Sequence, residues 1–179
     1  FVTNFVNAGD RLFVNVVRFA STASQVTGLI ELTTDAVAAT LGNFIGSLSQ
    51  GGNGSATNHQ AAIDVARNSL LGQGLVADKM IIDISTDGNT TTGGDPIAAA
   101  ANALAAGVTT NAIGIGNGID VTFLDALTTA GGGFSMLAAD FAAFEASLRL
   151  KLFREIQGVP EPSTIGLMLL GLAGLSFAR

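Results

Sequence analysis

The amino-acid sequence predicts an α/β domain in which helices flank a doubly wound, mostly parallel sheet. Short apolar runs alternate with segments of helical periodicity along most of the chain, as strands and crossover helices do in this fold class. The run from Met80 to Ile84 is nearly continuous in apolar residues, which is typical of a strand buried on both faces. A length of 179 residues suits a single domain with one core.

The first part of the chain starts within a helical pattern. Apolar residues of Phe1 to Ala8 follow helical spacing up to Gly9, and the chain has no initial methionine, so we expect this element to begin upstream. The segment Arg11 to Ala20 is apolar and β-branched enough for a central strand. We then expect a weaker strand at Val26 to Thr33, a helix with Thr34 and Asp35 as candidate caps that runs to about Ser49, and a loop at Gly51 to Ala56.

The second part alternates helices and strands more regularly. A helix capped by Thr57 or Asn58 precedes a strand at Lys79 to Ser85. The elements expected after it are a helix opened by Asp95-Pro96 and stopped at Gly107, a strand at Thr109 to Ile115, a helix at Asp120 to Ala130, a strand at Gly133 to Leu137, and a helix capped by Asp140. The last helix should bury a stripe of Phe141, Phe144, Leu148, Leu152 and Ile156.

Composition and charge exclude several kinds of site. The chain has 8 Lys plus Arg against 14 Asp plus Glu, a net charge of −6. It has no basic cluster to bind phosphates, which argues against nucleic acid as a partner. The absence of cysteine rules out disulfides, thiolate zinc sites and cysteine nucleophiles.

Enzyme motifs are incomplete. The dinucleotide pattern that starts at Gly114-Ile115-Gly116 fails at Ile119, where its third glycine should stand. The loop before Thr57 lacks the Gly-Lys-Ser/Thr ending of a phosphate-binding loop. His59 is the only histidine, no Gly-x-Ser-x-Gly elbow exists, and we expect the His59 side chain to be solvated.

The strand that ends at Asp87-Gly88 contains the best candidate for chemistry. Asp87 is either a functional carboxylate at the end of a sheet strand or part of a simple turn, in which Asp bonds its own backbone and Gly88 takes positive φ. Asp83, Ser85 and Asp87 alternate along the strand and should share one face. Because Asp83 lies inside the apolar run, we expect it to form buried hydrogen bonds rather than to bind metal.

These residues also carry a family resemblance. Thr86-Asp87-Gly88 after an apolar strand, preceded one helix earlier by Thr57-Asn58-x-x-Ala61-Ala62-Ile63, resembles the second half of a von Willebrand factor A (VWA) domain. The similarity is greatest to a bacterial subgroup of unknown function, through the Ile-Asp-Ile-Ser-x-Asp-Gly strand and Ala106 to Asn111. It covers roughly residues 1–157 and implies a Rossmann-like VWA domain, truncated at its N-terminus, that lacks its first central strand.

The resemblance implies a metal-ion-dependent adhesion site, in which Mg²⁺ or Mn²⁺ is held by loops at the carboxyl ends of the strands. Thr57 matches the ligating threonine of the family and Asp87 its aspartate. The family's Asp-x-Ser-x-Ser element has no match here and would precede Phe1. Two ligands are too few for the six or so that a hard cation prefers, so we expect weak or absent metal binding by residues 1–179 alone.

The tail, residues 158–179, carries a second resemblance. Pro160-Glu161-Pro162, an uncharged run from Ile165 to Ala178 and a terminal Arg179 resemble the PEP-CTERM sorting signal of Gram-negative bacteria. This implies export, transient membrane anchoring through a hydrophobic C-terminal helix, and processing by an exosortase. The run is at the short limit for a transmembrane span. A final core helix is the alternative, which the prolines and glycines disfavour.

Together these features predict an exported binding or adhesion module of the cell envelope or extracellular space, rather than an enzyme. Its partner would be a protein or an extracellular polysaccharide. Two alternatives stay open: a metal-assisted hydrolase that uses Asp87, and a structural matrix component without a functional metal site. A missing first strand would leave Arg11 to Ala20 and Lys79 to Ser85 parallel at about twice the usual strand spacing, and the isolated chain would fold poorly.

Overall fold

The computed structural model describes residues 10–48 and 53–157. The expected helix at Phe1 to Ala8 and the tail at 158–179 lie outside these residues. The elements in chain order are β1 (Phe13–Val14), β2 (Val17–Phe19), β3 (Ala23–Gln25), β4 (Ile30–Glu31), α1 (Asp35–Gly46), α2 (His59–Leu71), β5 (Met80–Thr86), α3 (Pro96–Ala105), β6 (Val108–Ile115), α4 (Val121–Ala130), β7 (Gly132–Ala138) and α5 (Phe141–Gln157).

The α/β class is confirmed by a parallel three-stranded sheet in the order β5-β6-β7. Met80 pairs with Val108 and Thr86 with Gly114, so these two strands run side by side over their whole length. All three strands end at the same side of the sheet. We call that side the carboxyl edge, and the opposite side, where the strands begin, the amino edge.

The helices lie on both faces of this sheet. Helices α2, α3 and α4 pack side by side on one face, while α5 crosses β6 and β7 on the other. The main core lies under the three helices, where small alanines of α3 allow close approach to the sheet. Its buried members are Ile63, Ala66, Ile82, Ile84, Ala99, Ala100, Ala103, Val108, Ala112, Leu124 and Leu127.

The expected central strand at Arg11 to Ala20 is wrong. This segment forms two short strands, β1 paired with β4 and β2 paired with β3, both antiparallel. The two ladders are out of register, because the returning strand has two more residues between them. At this break the N–H of Val16 donates to the Thr27 hydroxyl at 2.8 Å instead of to a backbone carbonyl. The expected strand at Val26 to Thr33 is correspondingly reduced to β4.

The reason is a change of phase in the apolar pattern. Leu12, Val14 and Val16 pack in a small core with Leu32 and Leu41, so they follow one strand alternation. Val17 and Phe19 instead pack against the main core. Two alternations of opposite phase, joined end to end, look like one continuous apolar run.

Within the described residues, β5 pairs only with β6, and no ladder joins it to the hairpin. The expectation that the two segments lie parallel with one empty strand position between them is wrong, since Arg11 to Ala20 is folded into its own hairpin.

Most predicted helix boundaries are confirmed through their caps. Thr34, Asn58, Asp95 and Asp120 are N-caps whose side chains accept backbone N–H bonds. The stripe predicted for α5 is wrong at Phe141, which is 69% exposed, whereas Lys151 on the same helix is fully buried. No helix in the described part of the chain is long and apolar enough to cross a bilayer.

Candidate functional site

Three loops meet at the carboxyl edge: residues 53–58 before α2, 87–95 after β5, and 116–120 after β6. The first two are tied together by backbone bonds. The N–H groups of Thr91 and Thr92 both donate to the Thr57 carbonyl, at 2.9 and 3.2 Å. The Thr57 N–H donates in return to the Thr91 hydroxyl at 2.9 Å. The backbone of Thr57 is therefore held against the loop that begins at Asp87.

The structure brings together the two segments that carry the predicted site residues Thr57 and Asp87. A Cβ added at Gly88 would lie 3.6 Å from the Thr57 Oγ1, which places the hydroxyl beside the residue that follows Asp87. The Asp87 side chain is exposed, and it forms no hydrogen bond or ion pair with any residue that the structure describes. Its carboxylate is thus available to a ligand.

The alternative of a simple Asp-Gly turn is not what the structure shows. Gly88 is not among the glycines with positive φ. The turn is instead held by Thr86, whose hydroxyl donates to the Gly88 carbonyl at 2.9 Å and accepts the Gly88 N–H at 3.3 Å. Because Thr86 forms the turn, Asp87 is not needed for it.

The third loop is attached through Asn89, a residue that the sequence reasoning missed. The Asp120 N–H donates to the Asn89 Oδ1 at 2.8 Å, and the Asn89 amide donates to the Gly118 carbonyl at 3.5 Å. A Cβ at Gly118 would lie 3.3 Å from the Asp87 carbonyl oxygen. The Asp-Gly-Asn sequence was a detectable turn signal, but nothing local revealed that Asn89 spans two loops.

The expectation that His59 is solvated is wrong, since its side chain is fully buried beneath the Asp87 loop. Its ring lies between those of Phe19 and Phe123, each centroid 5.4 Å away. The Nδ1 atom is 2.7 Å from the Thr90 hydroxyl, and the Nε2 atom is 3.1 Å from the Thr86 hydroxyl. Position on the first turn of a helix predicted exposure, but this helix begins under two loops.

The hydrogen bonds indicate the tautomer of this histidine. The Thr86 hydroxyl donates to the Gly88 carbonyl, so Thr86 accepts a hydrogen bond from the Nε2–H of His59. The Nδ1 atom is then left to accept from Thr90. Burial lowers the pKa of His59 to about 4, which agrees with a neutral ring at pH 7. His59 therefore supports the loop on both sides of Asp87 without adding charge.

The charge at this edge is acidic. The loops at residues 87–95, 116–120 and 139–140 contain no Lys or Arg. Asp95, Asp120 and Asp140 are occupied as acceptors of helix N–H groups, and Asp87 is not. Loops with several carboxylates and no Lys or Arg favour the approach of positive ligands.

Thr57 and Asp87 offer a hydroxyl and a carboxylate oxygen, which are ligands of the kind that Mg²⁺ and Mn²⁺ prefer. The chemistry of these two ligands suits such an ion, but two ligands are fewer than the six or so that it prefers. No group of three or more His, Asp or Glu side chains suited to a metal occurs in residues 10–48 and 53–157.

Asp83 does not belong to this site. Its carboxylate lies on the α5 face of the sheet and forms an ion pair with the Lys151 ammonium at 2.5 Å, and it is partly exposed, whereas buried hydrogen bonds were expected. The same ammonium is 2.5 Å from Glu155, which also accepts the Asn111 amide at 2.8 Å. Burial and the nearby Asp83 raise the pKa of Glu155, while Lys151 and Asn111 oppose that rise.

The fold and the arrangement of the loops define the class of protein, a VWA-type domain. A von Willebrand factor type A protein from Catenulispora acidiphila superimposes with a TM-score of 0.67 at 18% identity, over 86% of this chain and 35% of that one. BatB from Bacteroides thetaiotaomicron gives 0.61 at 18% identity, over 86% and 85% of the two chains. At these identities the likeness concerns the fold alone.

A third neighbour is proximal thread matrix protein 1 from the mussel byssus. Its structure with a zinc-occupied MIDAS motif, the metal-ion-dependent adhesion site, matches with a TM-score of 0.66 at 25% identity, over 88% of this chain and 39% of that one. The chain thus spans about two fifths of the length of this neighbour. No curated protein matches the chain.

The family is shown by sequence. The model "Protein of unknown function (DUF1194)" matches residues 2–160, and the chain belongs to this family. Residues 158–179 match the PEP-CTERM protein-sorting motif, which confirms the second resemblance. The protein is therefore an exported protein of the cell envelope or extracellular space.

Proposed function

We propose that this protein is a binding module that captures a protein or extracellular polysaccharide at its carboxyl edge, with a divalent cation as part of the contact. The observation that carries the proposal is the exposed carboxylate of Asp87, which precedes Gly88, the residue that lies beside the Thr57 hydroxyl. Three loops are tied together around this pair, and the turn does not use Asp87.

In this proposal Thr57 and Asp87 would hold the cation. A bound Mg²⁺ or Mn²⁺ would supply positive charge and open coordination positions for an acidic group of the partner. The residues of this chain position the two ligands: Thr86 forms the turn under Asp87, and His59 holds Thr86 and Thr90. The remaining ligands would come from outside the described residues or from the partner.

The tail completes the proposal. Residues 158–179 would place the uncharged run from Ile165 to Ala178 in the membrane until an exosortase processes the chain. Residues 1–157 would act as the VWA-like domain and residues 158–179 as the sorting and anchoring segment.

A binding role is favoured over hydrolysis by the state of the only histidine. His59 is buried and neutral, and both of its nitrogens are engaged by threonines, so it is not available as a general base for a reaction at Asp87. The alternative, a matrix component without a functional metal site, differs from our proposal only in whether Thr57 and Asp87 bind a cation. The experiment must therefore test these two residues.

The proposal is tested by titrating the chain with Mn²⁺ and following both heat and paramagnetic broadening of amide signals. We expect weak binding, with a dissociation constant of about 10⁻⁴ to 10⁻³ M or weaker, because two ligands are too few. The broadening should centre on residues 57 and 87–89. Asp87→Asn should abolish it, and Thr57→Val should weaken it.

The matched control is Asp78→Asn, an exposed aspartate at the amino edge, which should leave the broadening unchanged. Micromolar, Asp87-dependent binding would contradict the expected weakness and show that the site is complete. If the broadening is the same in Asp87→Asn, or if saturating Mn²⁺ causes none, cation binding at this site is contradicted. The matrix component is then favoured.

A further inference from the structure

The last described helix brings the chain to the amino edge of the sheet. Because α5 follows β7, it starts at the carboxyl edge and runs back along the sheet. Near its end, Glu155 bonds to Asn111 in the first half of β6. The Arg154 guanidinium lies 3.9 Å from the ring centroid of Phe134, near the start of β7. The sorting segment that begins at residue 158 therefore leaves the domain on the side opposite to Thr57 and Asp87.

The amino edge carries an exposed apolar loop. Residues 72–79, which join α2 to β5, are all exposed, and we call them the Leu75–Val76 loop. Leu75 is 46% exposed and Val76 is 104% exposed, the highest value among the large apolar residues described. Gly74, with φ of +67°, turns the backbone just before this pair. Two neighbouring aliphatic side chains at a loop tip have no packing role in the described domain.

Charge is distributed unequally between the two edges. The loops of the carboxyl edge contain acidic residues and no Lys or Arg, whereas the Leu75–Val76 loop contains one residue of each sign, Asp78 and Lys79. In the second half of α5, which approaches the amino edge, Arg149 is exposed and Lys151 is buried against Asp83 and Glu155. An anionic lipid surface would therefore repel the carboxyl edge more strongly than the amino edge.

We propose that the Leu75–Val76 loop rests on the lipid bilayer while the tail is inserted, so that the candidate binding edge faces away from the membrane. This inference rests on the membrane insertion of the tail, which is part of the proposed function. Only residues 158–164 separate α5 from the apolar run at Ile165, and seven residues span at most about 25 Å. That short tether keeps the amino edge near the headgroups, where aliphatic side chains and a lysine are both favourable.

The chain contains no tryptophan and no tyrosine, so a single introduced tryptophan reports its own surroundings. The full chain is reconstituted in vesicles of zwitterionic and anionic phospholipids, with and without brominated acyl chains. Val76→Trp is the reporter at the loop. The matched control is Phe141→Trp, an exposed position at the carboxyl edge, and Leu170→Trp reports insertion of the tail.

We expect the emission of Val76→Trp to shift to shorter wavelength in vesicles and to be quenched by the brominated lipids. Phe141→Trp should show neither change. Adding Leu75→Asp to Val76→Trp should remove the quenching, while Leu170→Trp stays quenched in that background.

The outcomes separate this inference from the proposal beneath it. Quenching at residue 170 without quenching at residue 76 overturns the loop contact and leaves tail insertion intact. A shift at residue 76 without quenching indicates contact with protein, which also overturns the inference. No quenching at either position overturns both the contact and the insertion, and equal quenching at residues 76 and 141 overturns the orientation.

Discussion

Two buried polar clusters hold this domain together, one on each face of the sheet, and they differ in charge. On the face covered by α2, α3 and α4, His59 is neutral and bonded to two threonines. On the α5 face, Lys151 is fully buried and bonded to the carboxylates of Asp83 and Glu155. The first cluster positions the loop of the candidate site, and the second attaches the helix that leads to the sorting segment.

Because the two clusters differ in charge, each is disrupted by a different change. The neutral cluster of His59, Thr86 and Thr90 needs only matching donors and acceptors. It is disrupted when the histidine gains a proton, because a charge is then buried without a partner. An ionic cluster depends on every charge being compensated, so it fails when one partner is removed. The neutral cluster should therefore be sensitive to pH, and the ionic cluster to mutation.

The largest expected effect is that of Lys151→Met. Removing the ammonium leaves Asp83 and the buried Glu155 without their cation, so we expect the free energy of unfolding to fall by about 3 to 5 kcal/mol. The measurement is urea unfolding followed by circular dichroism. Arg149→Met, on the exposed side of the same helix, should change stability by no more than about 0.5 kcal/mol. Equal effects of the two variants would show that the ionic cluster is unimportant.

The second effect is the pH dependence caused by His59. Its folded-state pKa of about 4 lies below the ordinary value of 6.5, so the unfolded chain binds the proton more readily. Its contribution is complete above pH 6.5 and is lost as pH falls towards 4, by about 3 kcal/mol in total.

The check compares unfolding curves of the protein and of His59→Leu at pH 4 to 7. The variant loses the two threonine bonds and should be less stable at pH 7 by about 1 to 3 kcal/mol. The difference between the two proteins should shrink as pH falls. Parallel stability curves across this window would rule out a buried neutral histidine.

Glu155→Gln should have a smaller effect of the opposite sign with pH. Because burial raises the pKa of Glu155 above its ordinary value, its contribution is complete below pH 4.5 and is lost as pH rises through the folded-state pKa. Glutamine keeps an acceptor for Lys151 and Asn111, so we expect a change of no more than about 1 kcal/mol at pH 7. The diagnostic result is that the free energy of unfolding of Glu155→Gln rises less on acidification than that of the unmodified protein. A loss of stability at pH 7 as large as that of Lys151→Met would contradict this prediction.

The smallest effect is expected from removing Ile165 to Arg179. The residues named in the two clusters all lie between positions 59 and 155, so the truncated chain should keep the circular dichroism spectrum of the full chain and change only its location. Loss of the helical signal on truncation would show that the tail belongs to the core.

The regular second part of the chain could be predicted well because its signals are local. Asp95 and Asp120 mark helix starts through bonds to residues two or three positions away, and Pro96 marks one through its fixed φ. The sequence also singled out Asp87 and Thr57, and the structure brings the segments that carry them together. Whether they bind a cation stays a prediction.

By itself, the sequence determined the α/β class, the parallel strands, the caps and the sorting motif, because each depends on periodicity or on neighbours within a few residues. Only the tertiary structure decided that Arg11 to Ala20 changes phase between two cores, that His59 is buried, and that Lys151 faces the sheet while Phe141 faces solvent. In each case the contacting residue lies far along the chain. His59 contacts Phe123, Lys151 pairs with Asp83, and Val16 packs against the core of Leu32 and Leu41. The free energy of burying a polar group depends on such distant partners, and no local pattern records them.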